Sequence, residues 1–331
     1  MPGRLLVLLF LMILFILLVY SFTSWKRGII EDLRERSHVI STNNGPIEYV
    51  FFGEGPVLLA IHGGPGGYDQ GEFILWEWAK KGYSVLSYSR PGYLRSPLSS
   101  GKTIEDQADA TIALLDALKI EQVSVVAASA GGPIAIELCL RYPERVRALV
   151  MLCAVSMRYI PRQSQANSLI QRILSFDTIP DIASWIFHLL TRFNPCVSMR
   201  LMLNENTNLS KEQVRHIVKK ICQDEELVNW YIGLVHATTP LSSRRIGLRN
   251  DLEQLASIKE YPAHLIKVPT LIIHGIDDAD VDVSNAQLLA SLVPNAEMMI
   301  LDNVGHMIWL GTHKDKLNNR IEEFLQKYLL T

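Results

Sequence analysis

The sequence predicts an α/β fold: a mainly parallel sheet with helices on both faces, interrupted by a helical cap. Three observations carry this expectation. Continuous apolar, β-branched runs alternate with amphipathic helical stretches up to about residue 155. From residue 156 to 262 the periodicity is helical throughout, with breaks at Pro180, Pro195 and Pro240. Strand signals then return with "PTLIIHGIDD" and "AEMMILDNVGH", and "KDKLNNRIEEFLQKYLL" reads as a closing amphipathic helix. The expected division is residues 1–26, an anchor; 27–46, a polar connector; 47–155, the first part of the core; 156–262, the cap; and 263–331, the second part of the core.

The first element is apolar without interruption from Leu5 to Tyr20, and no charge appears between Arg4 and Lys26. As a helix, Leu5–Trp25 would extend about 31 Å, close to the ~30 Å of bilayer hydrocarbon. Tyr20 and Trp25 stand near one end, where interfacial aromatics belong, and Lys26 and Arg27 come next. A cleaved signal peptide usually has an apolar region of about 7–15 residues and a small-residue cleavage site. The run here is longer and "LVYSFTSWK" is a poor site, so a retained single-pass anchor is expected. Lys26, Arg27, Arg34 and Arg36 after the span outnumber Arg4 and the amino terminus before it, which places the body on the cytoplasmic side. Cys139, Cys153, Cys196 and Cys222 show neither metal-ligand spacing nor a dense disulfide framework, so reduced, buried thiols are expected. The sequon Asn208-Leu209-Ser210 would matter only if the body faced a secretory lumen.

The core elements come in order. "IEYVFFG" and "PVLLAIHGG" read as strands, the second ending in glycines. "FILWEWAKKG" reads as a helix stopped by Gly82, before the strand "YSVLSYS". "TIEDQADATIALLDALKI" has apolar spacing of three and four, with Thr103 as its cap. "VSVVAAS", "GGPIAIELCLRYP" and "VRALVMLCAV" complete a strand–helix–strand unit. A net charge of −2 gives no global signal for nucleic acid. Ligands of parallel sheets bind at the carboxyl ends of the strands, so the strand-to-helix junctions are where chemistry is expected.

Three such junctions carry reactive groups. Ser129 ends "VSVVAAS", Asp277 and Asp278 follow "TLIIHG", and His306 follows "EMMILDNVG". A serine hydroxyl is a weak nucleophile at neutral pH; it needs an imidazole to take its proton and a carboxylate to orient that imidazole. "VVAASAGGP" approaches the G-x-S-x-G elbow, with Ala127 in place of the first glycine. Alone it reads equally well as a serine-capped helix start. The agreement of three separate strand ends is what favours a nucleophile.

On these residues the chain resembles the α/β-hydrolase superfamily, in the subgroup with a helical cap, from about residue 47 to the C-terminus. "AIHGGPGG" is similar to the HGGPG loop of proline iminopeptidase-like hydrolases, "HGIDDADVDV" to the acid turn and "VGHM" to the histidine loop. The resemblance implies a triad of Ser129, Asp278 and His306, with Asp277 as the alternative acid. It implies an oxyanion hole from the N–H groups of Ala130 and Gly64. Asp280 and Asp282 are expected as surface or turn residues, His62 and His274 as structural histidines bonded to the backbone, and His38 and His313 at the surface. In "YSRPGYLRSPLSS", Ser89 and Leu94 replace the aspartate and second glycine of the usual turn, and Arg90 and Arg95 read as solvated loop charges.

The implied function is a membrane-anchored serine hydrolase that cleaves a carboxylic, lipid-like ester through an acyl-enzyme. A proline iminopeptidase-like aminopeptidase or amidase is the alternative; it would need acidic cap residues such as Glu205, Glu225 or Glu226 for the substrate's amino group. A non-catalytic binding protein of the same fold is the alternative from another class. No cofactor is implied and no histidine pair has metal-ligand spacing. The expected partners are a small ester or lipid-like substrate and a membrane, through the N-terminal helix; the apolar cap segment "DIASWIFHLLTRFNPCVSMRLML" is expected to pack on the core and on its own helices, with contact to the bilayer as the sharper alternative.

Overall fold

The computed structural model describes residues 2–161, 179–311 and 313–329. Residues 162–178 of the expected cap lie outside the described residues. Eight strands form one sheet in the order β1-β2-β4-β3-β5-β6-β7-β8. They are β1 (His38–Thr42), β2 (Gly45–Gly53), β3 (Val57–Ile61), β4 (Ser84–Tyr88), β5 (Val123–Ala128), β6 (Val146–Leu152), β7 (Thr270–Gly275) and β8 (Ala296–Leu301). β1 and β2 pair antiparallel, β2 joins β4 antiparallel, and from β4 to β8 every pairing is parallel.

Strand side chains alternate between two cores, as a pleat demands. Leu59, Ile61, Val125, Ala127 and Met151 pack under α3 (Ile104–Ala117), α4 (Gly132–Arg141) and α10 (Ser284–Leu292). Leu58, Ala60, Val126, Val150 and Ile273 pack under α2 (Tyr68–Ala79) and α11 (Lys314–Leu329). Both faces are covered, which is why the strands read as continuous apolar runs. Thr103 caps α3 in a full capping box with Asp106.

Between β6 and β7 the chain forms α5 (Ile179–Phe193), α6 (Pro195–Asn206), α7 (Lys211–Ile221), α8 (Glu225–His236) and α9 (Arg245–Ala256). These cap helices share a small core of their own, including Met199, Leu203, Val214, Val218, Leu227 and Tyr231. Two buried ion pairs fasten the cap to the sheet. Arg244 grips Asp69 at 2.6 and 2.9 Å, and Arg90 grips Asp251 at 2.5 and 2.8 Å.

The N-terminal segment differs from expectation. One helix, α1 (Pro2–Arg36), passes through the expected anchor and ten residues of the expected connector; β1 and the start of β2 take up much of the remainder. The cause is tertiary: Leu33 is buried beside Val50 and Tyr68, and the Tyr68 hydroxyl donates to the Leu33 carbonyl at 2.7 Å. The solvated reading of Arg90 and Arg95 also fails. Arg90 is fully buried, and Arg95 donates to Glu48 and to Ser37. Glu48 accepts from Ser89 as well, so a carboxylate from β2 supports a turn that has lost its own aspartate.

The cysteines split. Cys139 and Cys153 are buried free thiols, but Cys196 and Cys222 form a disulfide joining α6 to the end of α7. The sequence signal was absent because their partnership depends on two cap helices folding back on each other.

Candidate active site

Ser129 sits at the turn between β5 and α4 with φ of +50°. A side chain in this left-handed region costs of order 1–3 kcal/mol, and the flanking strand and helix hold it there. The turn tolerates only small neighbours. A Cβ added at Gly131 would lie 2.5 Å from the Ile61 carbonyl oxygen, which cannot yield. Ala127 is fully buried in the β5 core, paired with Ile61 of β3 and Met151 of β6, so its methyl group fits where the usual motif has glycine.

The acid and histidine loops come after β7 and β8. His306 Nδ1 lies 2.8 Å from Asp278 Oδ2. Asp278 Oδ1 accepts from the backbone N–H groups of Asp280 and Val281 at 2.8 and 2.9 Å. The carboxylate that meets the imidazole is thus that of Asp278, and not that of Asp277. Burial opposes charge on Asp278, but His306 and His274 outweigh it and hold its carboxyl well below the usual range. Burial likewise opposes charge on His306, yet Asp278, and then Asp280, raise it to about 9.

Asp280 is a correction to the surface reading. It is half-buried in the site, its Oδ2 stands 3.7 Å from His306 Nε2, and Tyr159 donates to its Oδ1 at 2.7 Å. Among the described residues no hydrogen bond joins His306 to the Ser129 hydroxyl. Asp282 is the exposed turn residue expected, accepting from the Ser284 N–H.

The glycine loop after β3 supplies the opposite wall. Gly63 spends its N–H on Gln70 Oε1 at 2.8 Å. Gly64, one residue on, has no acceptor for its N–H among the described residues. Ala130 is in the first turn of its helix, where N–H groups lack intrahelical acceptors and favour negative charge. His62 fixes the loop: its Nδ1 meets the Gly63 carbonyl at 2.7 Å, while its Nε2 accepts from the Arg90 N–H at 3.0 Å. Burial and Arg90 keep that ring neutral. His274 is bonded to the Val281 carbonyl at 2.8 Å, also a backbone partner. His313 is half-buried and bonded to the Ile308 carbonyl, which places it inside the expected surface.

A cavity of about 430 Å³ lies over these strand ends, with Ser129, His306, Gly64 and Asp280 in its wall. Met202 and Glu205 of α6, Leu234 of α8 and Leu248 and Leu252 of α9 close it from the cap. Glu205 reaches it; Glu226 instead pairs with Lys314 at 2.8 Å. Cys153, His274 and Asp278 converge closely enough to share an ion, but both Asp278 oxygens already serve His306 and backbone N–H groups. Their arrangement supports the imidazole instead.

Sequence reasoning missed the strut between the two loops. The Asn206 carbonyl accepts from the N–H groups of His306 at 3.1 Å and Ala279 at 3.3 Å. Thr207 forms an antiparallel bridge with Asp278, and the Asn208 side chain donates to the Asp278 carbonyl at 3.0 Å. The end of α6 and the two residues after it therefore align both loops, chiefly through backbone bonds that no side-chain pattern announces.

A strained serine at a strand-to-helix turn, a carboxylate–imidazole pair on neighbouring strand ends and a capped cavity define a hydrolase of α/β architecture. The comparisons agree. The profile of the alpha/beta hydrolase fold matches residues 56–193. An alpha/beta hydrolase fold protein from Nakamurella multipartita is 30% identical, with a TM-score of 0.80 over 87% of this chain and 98% of its own. An uncharacterised hydrolase, YcgS, of Bacillus subtilis (strain 168) is 28% identical over 89% of this chain and 100% of its own length. An esterase from Exiguobacterium antarcticum, 18% identical, shares the fold with a TM-score of 0.59 over 88% of this chain and 99% of its own. The chain belongs to the α/β-hydrolase family.

Proposed function

We propose that the protein is a membrane-anchored serine hydrolase of carboxylic, lipid-like esters. Ser129 attacks the ester carbonyl while His306 takes its proton; Asp278 orients the imidazole and stabilises its cation. The N–H groups of Gly64 and Ala130 receive the developing oxyanion. His306 then protonates the leaving alcohol, and the same imidazole activates water to hydrolyse the acyl-enzyme. The observation that carries this reading is the convergence of Ser129, with its positive φ, and the buried His306–Asp278 pair on one capped cavity. The largely apolar cap wall supports an acyl substrate.

Fluorophosphonate labelling tests it without knowledge of the substrate. The intact chain should form an adduct on Ser129, and Ser129→Ala should abolish it, with hydrolysis falling on the order of 10⁶-fold. Equal labelling of the variant, or none of the intact protein, would overturn the serine mechanism and leave the non-catalytic reading. An aminopeptidase reading retains one supporting observation, Glu205 in the cavity wall. A panel of acyl esters, monoacylglycerols and aminoacyl amides separates the two.

The residues after the apolar run support a retained anchor. Among the described residues one helix is long and apolar enough to cross a membrane, and its last two turns are built into the body through Leu33, Tyr68 and Arg36. The basic residues after the span favour the cytoplasmic side. The Cys196–Cys222 disulfide favours an oxidising compartment, and on that ground we place the body outside the cytoplasm.

A further inference from the structure

The cap helix α5 carries an uncovered apolar stripe. Ile182, Ile186 and Phe193 are 40, 57 and 80% exposed, and Leu189 and Leu190 are half-buried between them. Their spacing of three and four residues puts them on one face of the helix. On a cap helix that only packed on its neighbours, this face would be polar. The buried residues of α5 occupy an adjacent face, and there Asp181, Trp185 and His188 meet α1.

The place of that meeting identifies what the stripe faces. Phe22 packs edge-on against Trp185 at 5.8 Å, Trp25 stands 5.7 Å from the His188 ring, and Lys26 Nζ reaches Asp181 at 2.6 Å. These are the residues at which α1 passes from its uncharged run, exposed all round, to charged sequence. A helix fixed beside that transition stands at the level where a spanning helix would leave the hydrocarbon. Trp25 is the kind of side chain that marks this level.

We propose that α5 is a second membrane contact, lying in the interfacial layer of the bilayer with Ile182, Ile186 and Phe193 turned into the acyl boundary. Arg192, exposed beside Phe193, stands at the headgroups. Amphipathic helices bind in this way by burying one apolar face to shallow depth. The occupant is a bilayer, because the stripe continues an apolar surface that begins on the anchor. The proposal rests on the reading of α1 as an anchor. It adds that the cap, and not α1 alone, touches lipid, so the cavity roof is held at the membrane.

The test uses the full chain in phosphatidylcholine nanodiscs, labelled with an environment-sensitive fluorophore at F193C or, as a control, at E121C, an exposed site on the α3–β5 connection. Both sites are exposed, so neither substitution disturbs packing. The expected result is a blue-shifted emission at 193, quenched several-fold more by doxyl lipids than the label at 121. Equal quenching at both sites, with the protein retained in the discs, overturns the α5 contact and leaves the anchor intact. A blue shift at 193 without lipid quenching overturns it in favour of a second copy of the chain. Failure of the protein to remain with the discs overturns the anchor and the α5 contact together.

Discussion

At the scale of single residues, the site is governed by two carboxylates on one imidazole. Asp278 holds His306 Nδ1, and Asp280 stands near Nε2, the nitrogen that takes the serine proton in the proposed mechanism. His274 flanks Asp278 at 3.3 Å, Cys153 is a buried thiol beside that carboxylate, and Tyr159 donates to Asp280. Burial lowers the imidazole's proton affinity, but the two carboxylates outweigh it and raise it to about 9. The imidazole is then protonated at neutral pH in the free enzyme, and the base form appears as pH climbs toward that value. Fluorophosphonate labelling of the native chain should therefore rise through the alkaline range. Asp280→Asn should move the midpoint down by ~1 unit and speed labelling at neutral pH. An unchanged midpoint would show that Asp280 does not act on His306. The same pairing contributes stability that is complete below the ordinary histidine value and is lost as pH rises through about 9.

At the scale of elements, α6 couples the cap to the chemistry. Its disulfide to the end of α7 and its Asn206–Asn208 strut are parts of one continuous path from the cap core to the acid and histidine loops. The disulfide closes a loop of 26 residues, for which chain entropy predicts a stabilisation of about 3.5 kcal/mol. Cys196→Ser with Cys222→Ser should lower the denaturation midpoint accordingly. The loss of order at α6 should slow labelling of Ser129 before the sheet unfolds. Non-reducing peptide mapping gives a direct check: recovery of both cysteines as free thiols would remove the bond, and with it the ground for placing the body outside the cytoplasm. The central strands were legible in the sequence because they are largely apolar on both faces, and the core helices because they are apolar on one; β1, His38–Thr42, is mostly exposed and was not. The helical continuation through residues 27–36 was not, because its buried positions are defined by Val50 and Tyr68, far along the chain.

Across the whole molecule, the cap is bolted down rather than loosely laid over the sheet. Arg244–Asp69 and Arg90–Asp251 are each nearly or fully buried; the first joins the cap to the first turn of α2 and the second joins it to the loop after β4. Removing one partner leaves the other charge buried and unpaired, which costs about 3–5 kcal/mol. Arg244→Ala should show this loss in chemical denaturation, whereas Arg34→Ala, at an exposed position on α1, should leave stability within about 0.5 kcal/mol. A change of less than about 1 kcal/mol in Arg244→Ala would mean that the Arg244–Asp69 pair does not help to hold the cap.

The sequence by itself determined the fold class, the strand ends that carry Ser129, Asp278 and His306, and the apolar N-terminal helix. These are local properties: hydrophobic period, turn chemistry and the order of residue types along the chain. Only the tertiary structure decided which aspartate meets His306, that Asp280 stands beside it, that Arg90 is buried and that Cys196 pairs with Cys222. Each of these depends on distance between segments far apart in sequence, and a sequence records no distances. Pairing of the neighbouring strands, and packing of the cap helices on one another and on the sheet, set them, and the same packing gives the cavity its walls.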